Sequence, residues 1–208
     1  MTPTRAALGL AVLLAAAAAR AAEPAPPLEE DPRAPRFHEV EHGAFTTLET
    51  GWFTLFKTRV ADRARYPYAG AGGGAASGWL AGARLGTELG DRFALAGVVL
   101  VGNASASPSY GAFDLLMIGG DLRAAVWRGA DRQGVDRLLL YLHGRAGWLA
   151  TRPDGLFGSS DLLLGGGPGL EYYTHLRHFS IGLALDGIYA VSAGAPGLAV
   201  TPTVTYTF

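Results

Sequence analysis

No cysteine occurs among the 208 residues, which removes disulfides, thiolate metal sites and a lipid-modified N-terminal cysteine from consideration. Charge is also scarce. Asp, Glu, Lys and Arg make up 17% of the chain, against roughly a quarter in an average soluble protein. The formal net charge is −1 and no Lys/Arg cluster stands out, so the electrostatic footprint of a nucleic-acid-binding protein is missing. Long apolar runs are missing too. After the N-terminal segment no stretch approaches the roughly 20 residues a membrane-spanning helix needs, because the 30 glycines interrupt every candidate. Yet 49% of the chain is hydrophobic. Apolar surface that cannot form spanning helices has to be placed in strands.

The N-terminus has the features of an export signal. Arg5 supplies the positive region, Ala6 to Ala19 the short apolar region, and Ala19-Arg20-Ala21 a small-x-small cleavage site. Residues 1–21 are therefore expected to be a signal peptide, with a mature start at Ala22. Residues 22–40 open with AEPAPPLEEDPRAPRF, too rich in Pro and charge to offset chain entropy, and are expected to form a flexible periplasmic leader.

Residues 41–208 carry a different pattern. Segments of ten to fourteen residues alternate with period two and are separated by Gly, Pro, Asp and Ser clusters. The last segment is the clearest: Leu198, Val200, Pro202, Val204, Tyr206 and Phe208 alternate with Ala199, Thr201, Thr203, Thr205 and Thr207. Strands are expected near 44–57, 78–89, 92–103, 113–127, 136–149, 161–174, 178–191 and 197–208. The connectors alternate between long and short, as in barrels with long outer loops and short periplasmic turns. The fold expected is an all-β, eight-stranded antiparallel transmembrane β-barrel of the Gram-negative outer membrane. Its terminal residues Val204, Tyr206 and Phe208 resemble the signal read by the barrel-assembly machinery. Outer-membrane lipid and lipopolysaccharide are the expected surroundings.

Alternation assigns the strand charges to one face. With apolar residues toward lipid, the lumen receives Glu49, Lys57, Arg84, Glu88, Asp121, Arg123, Arg137, His143, Arg145, Glu171 and Asp186. Five acids thus face five bases and one histidine. An eight-stranded barrel is only wide enough for its own side chains, so these charges are expected to pair across the interior and close it. His143 is expected to join Arg145 and either Asp121 or Glu171 in a buried polar network. Trp52, Trp79, Trp148, Phe93, Tyr172 and Tyr189 fit interfacial girdles, whereas the alternation turns Trp127 into the lumen.

The remaining motifs carry less. His178-Phe179-Ser180 has the spacing of the His/Ser pair in outer-membrane lipid A deacylases, where the imidazole activates the hydroxyl and a Glu orients the ring. Here it adjoins a periplasmic turn, away from outer-leaflet lipid, and no Glu follows Glu171. The pairs His175/His178 and His38/His42 lack the further ligands of a zinc site. The glycine runs at 69–77 and 165–169 lack the Lys and Ser/Thr of a phosphate loop, and Pro168 in the second predicts a kink or bulge. Arg59, Arg63 and Arg65 with Tyr66 and Tyr68 form a basic, aromatic outer segment suited to lipopolysaccharide phosphates or a protein partner.

Glu41-His42-Gly43-Ala44-Phe45 with Glu49-Thr50-Gly51, the turn Leu89-Gly90-Asp91-Arg92-Phe93, and the strand Leu139 to Trp148 with Pro153 beyond it resemble a family of myxobacterial outer-membrane barrels, the CglE-like proteins of adventurous gliding motility. The likeness runs over about residues 38–208. It implies a non-catalytic structural component of a trans-envelope motility complex, with no cofactor and no family site residues to carry over. From the residues alone, a lipid-modifying enzyme and a narrow solute channel stand as the alternatives.

Overall fold

The computed structural model describes residues 43–56, 75–106, 111–152, 160–176 and 178–208. The expected signal peptide and leader, His38 and His42, Lys57, the basic segment from Arg59 to Tyr68, most of the first glycine run, and Pro153 lie outside the described residues. Eight strands follow one another: β1 (Ala44–Leu55), β2 (Ala76–Leu89), β3 (Phe93–Ala106), β4 (Gly111–Ala130), β5 (Asp136–Arg152), β6 (Asp161–Tyr173), β7 (Phe179–Ala190) and β8 (Ala195–Thr207). Each pairs antiparallel with its sequence neighbours, and β1 pairs with β8 to close the barrel.

The period-two pattern sets the register, because a shift of one residue would exchange every lumen and lipid side chain. In β8 the threonines 201, 203, 205 and 207 and Ala199 are buried, while Leu198, Val200, Val204 and Phe208 are exposed. Around the outside, Leu48, Leu85, Leu95, Val99, Ile118, Leu122, Leu142, Ile181 and Leu183 continue an exposed apolar band. A surface of this kind has no place in water and matches the hydrocarbon core of a bilayer.

The two ends differ. At one end, here the turn end, 90–92, 131–135 and 174–178 join successive strands; Gly90 takes φ +66° to make the tightest of these turns. The connectors 56–75, 107–110, 153–160 and 191–194 join strands at the opposite, loop end. Short turns face the periplasm and long loops the exterior in barrels of this type.

Three details depart from the sequence expectation. Trp127 faces outward. Ala125 pairs with Tyr141 and Trp127 with Leu140, so Val126 is an extra residue in β4 and the bulge reverses the alternation. Trp127 thereby joins Phe93, Tyr172, Phe179 and Phe208 in an aromatic ring at the turn end, opposite Trp52, Trp79, Trp148 and Tyr189 at the loop end. Pro168 produces no bulge. The β6–β7 ladder skips Gly167 and Pro168, yet Gly166 pairs with Gly187 and Gly169 with Ala184, so the register holds on both sides. The third departure concerns the lumen. Its half toward the loop end is filled by apolar side chains, among them Phe53, Leu55, Leu80, Leu100, Phe113, Met117 and Leu149. The assignment of apolar residues to lipid fails here, and Phe45 and Leu139 toward the turn end are buried in the lumen as well.

Candidate functional site in the barrel interior

Six charged side chains from five strands meet at mid-height. Glu49 lies on β1, Arg84 on β2, Asp121 on β4, His143 and Arg145 on β5, and Asp186 on β7. All are buried. Arg145 Nη2 donates to Glu49 Oε2 at 3.1 Å, and its Nε to Asp121 Oδ2 at 3.4 Å. Arg84 bridges the same two acids, with Nη2 3.3 Å from Glu49 and Nη1 3.6 Å from Asp121. His143 stands between two carboxylates, Nδ1 3.0 Å from Asp121 Oδ2 and Nε2 2.6 Å from Asp186 Oδ1. The second contact is close but off the alignment of a hydrogen bond, since neither atom finds a hydrogen-bond partner among the described residues. Two ring nitrogens facing two acids suit the doubly protonated imidazole, which sets three cations against three carboxylates. His143 contacts Asp121 and Asp186; Glu171, the other acid offered for it, pairs elsewhere.

That second cluster sits nearer the turn end. Arg123 on β4 binds Glu171 on β6 through Nη1 and Glu88 on β2 through Nη2 at 3.3 Å. Its guanidinium also covers the rings of Phe45 and Tyr141, 5.5 and 5.2 Å from their centroids. Glu171 accepts a further hydrogen bond from Ser180 Oγ on β7. Sequence reasoning sought a Glu beyond Glu171 to orient His178, whereas Glu171 itself bonds Ser180. This partner comes from the adjacent strand, where Tyr173 opposes Ser180 and Glu171 opposes Gly182. His178 donates from Nδ1 to the Thr207 carbonyl at 3.0 Å and packs on Tyr206.

Arg137, the remaining described charge assigned to the lumen, sits at the turn end. Its Nε donates to Asp131 at 2.6 Å and its Nη1 to the Thr174 carbonyl at 3.0 Å, joining two turns. Partial burial raises the Asp131 pKa, but the side-chain bond from Arg137 and the backbone N–H groups of Val135 and Gln133 outweigh it and hold the carboxyl below its usual range. Asp161 plays a matching part at the loop end, accepting from the backbone of Leu162, Ser192 and Ala193. Neither Asp131 nor Asp161 was picked out from the sequence. Their signal was turn chemistry, an Asp where a strand meets a loop, which alternation does not weigh.

Directly above the central cluster, toward the loop end, is a chamber. Phe53, Leu55, Leu80, Leu100, Phe113, Leu115, Met117, Leu149, Leu163, Ile188 and Ala199 wall it, with Arg145 and Asp186 at its floor and Thr151 on its side. The chamber and its mouth together hold about 580 Å³ of empty space. Among the described residues no group of three or more His, Asp and Glu is arranged to hold a metal ion.

A closed eight-stranded antiparallel barrel with an apolar outer band, aromatic rings at both ends and an ion-paired interior defines a protein of the outer membrane. A solved structure agrees on the fold. Neisserial surface protein A superposes with a TM-score of 0.56 at 17% identity, over 80% of this chain and 99% of that one. OprG of Pseudomonas aeruginosa gives 0.47 at 12% identity, over 82% and 96%, and the attachment invasion locus protein Ail of Yersinia pestis 0.45 at 12%, over 81% and 100%. No protein-family model and no curated protein matches the sequence.

Proposed function

We propose that the chain is a non-catalytic, non-conducting outer-membrane barrel that anchors or scaffolds a cell-envelope assembly through its two ends. One observation carries this reading. Arg145 on β5 reaches Glu49 on β1, strands on opposite walls of the closed order, so the ion network spans the lumen from side to side. Removing any one of these charges would leave its buried partners short of an opposite charge, which is costly in a low-dielectric interior. A barrel whose bore is committed to such a network acts at its surfaces. The resemblance to gliding-motility barrels supports a motility complex as the assembly, and the terminal Val204, Tyr206 and Phe208 support delivery by the barrel-assembly machinery. The basic segment Arg59 to Tyr68 suits lipopolysaccharide phosphates. Against an enzyme, Ser180 is buried in the lumen near the turn end, remote from outer-leaflet lipid.

Two measurements test the reading. Planar-bilayer recording of the purified barrel is expected to show no steady conductance; an ohmic open state would defeat the closed-bore reading. In a deletion strain scored for surface motility and envelope integrity, Glu49→Leu/Arg145→Met is expected to complement. A chain in which residues 58–74 are replaced by a four-residue turn is expected not to. Full complementation by the shortened chain would remove the outer end from the function.

A further inference from the structure

We propose that the chamber above the ion network is a binding site for one alkyl chain, entering from the loop end with its tail toward the floor and its polar head beside Thr151. Four observations lead there. The first is chemical asymmetry within a single bore. An eight-stranded lumen is ordinarily filled by its own side chains, and the turn-end half here is filled by ion pairs together with Phe45, Leu139 and Tyr141. The loop-end half is lined by Leu, Phe, Met and Ile and leaves empty space that opens at its mouth. Close-packed interiors leave few such voids, because wall atoms without neighbours lose dispersion contacts.

The second observation is shape. Arg145 at the floor and Thr151 on the wall are six residues apart on β5, about 20 Å along the strand. The apolar lining residues between those two heights offer a linear chain continuous contact. Third, Thr151 is buried, yet its Oγ1 has no hydrogen-bond partner among the described residues. A buried hydroxyl without a partner is costly, and a single hydroxyl or carboxyl on a ligand at that height would satisfy it. Fourth, the floor is closed. Arg145 and Asp186 are held by Glu49, Asp121 and His143, so the chamber is blind toward the turn end. The site therefore retains a ligand and does not conduct it. This last point rests on the closed bore proposed above, whereas the first three do not.

The sequence supplies a reporter. Met117 is fully buried, lines the chamber, and shares the chain with only one other methionine, Met1. The full barrel, labelled with 13C-methyl methionine, would be placed in nanodiscs of chain-deuterated phosphatidylcholine and titrated with 1-decanol. The expected result is a saturable shift of the Met117 methyl signal and a nuclear Overhauser contact to the decanol chain. Ala199→Phe, which fills the chamber, should abolish both, and Val200→Phe on the lipid face should leave both intact. Leu163→Trp serves as a second filling variant if the first fails to fold. A parallel sample with protonated lipid and no decanol separates the sources. Contacts from Met117 to acyl chains there would assign the site to a membrane lipid, and their absence together with decanol saturation to a free amphiphile. A linear, non-saturating response with no intermolecular contact in either sample would overturn the proposal. Conductance reads the floor and the methyl signal reads the chamber, so the two proposals fail separately.

Discussion

Arg145 and Glu49 meet at 3.1 Å across the full width of the barrel, one from β5 and the other from β1. Strands joined by a hairpin share a backbone ladder, but these two share none, and their side chains supply a direct link between the walls. Arg84 and Asp121 duplicate it through β2 and β4. The network therefore braces the barrel against flattening as well as filling it.

Glu49→Ala would leave both Arg145 and Arg84 short of a carboxylate. The expected loss is about 3–5 kcal/mol, the usual cost of breaking a buried pair from one side. Glu49→Leu with Arg145→Met, which removes charge from both sides, should cost less than Glu49→Ala. Urea unfolding in lipid vesicles, followed by tryptophan fluorescence, makes the comparison. A double variant weaker than the single one would contradict the bracing role.

The bulge at Val126 fixes where Trp127 sits. In a variant with Trp52, Trp79 and Trp148 changed to Phe, Trp127 should emit from an interfacial environment. Lipids brominated near the headgroup should quench it more strongly than lipids brominated near the chain end. Emission untouched by brominated lipid would place the ring in the lumen. Deleting Val126 removes the extra residue and leaves Trp127 opposite Leu140, so the same headgroup-biased quenching and a heat-modifiable barrel should be retained.

At the turn end the pH dependence has a definite sign. Asp131 titrates below its usual range when folded, held there, against the raising effect of partial burial, by Arg137 and two backbone N–H groups. Its contribution to stability is therefore present above the unfolded value near 3.9 and is lost as pH falls through the folded value. Wild type should lose more stability than Asp131→Asn between pH 5 and pH 2. Because the carboxyl is only partly buried, the difference should be small. Identical acid profiles for the two proteins would show that the turn bond contributes nothing.

Ser180→Ala removes one hydrogen bond to Glu171 and should cost about 1 kcal/mol. Glu171→Ala exposes the larger debt, since Arg123 then keeps only Glu88 as an ion partner and Ser180 loses its acceptor. Mass spectra of lipid A from cells expressing wild type and Ser180→Ala should be the same. A change in acylation in the serine variant alone would assign Ser180 to catalysis.

Strand number and the lipid face were legible because the alternation is strong. β5 repeats it along its whole length and β8 to the end of the strand. Three other features were not. The bulge is invisible because Val126 and Trp127 are both apolar and a shifted register reads as well as a straight one. Apolar residues lining the loop-end lumen look the same in sequence as residues facing lipid; only their parity with Arg84 or Arg145 on the same strand distinguishes Leu80 and Leu149. Pairing partners in the lumen were not legible either. Alternation states that Glu49 and Arg145 face inward, but which charge each one meets depends on barrel diameter and strand stagger. The close approach of β4 and β5 belongs with these. Gly119 opposes Gly147 so tightly that a Cβ on Gly119 would lie 2.1 Å from the Ala146 carbonyl oxygen.

The distribution of the six central charges has a further bearing on how the barrel forms. They come from β1, β2, β4, β5 and β7, and no hairpin contains a full set of its own partners. A hairpin or half-barrel entering the bilayer early would carry exposed charge into hydrocarbon, paired at most locally as Glu49 and Arg84 are within β1–β2, while the closed ring buries the whole network. Partly inserted states are penalised relative to both the unfolded chain and the finished barrel, so insertion and closure should occur as one cooperative event.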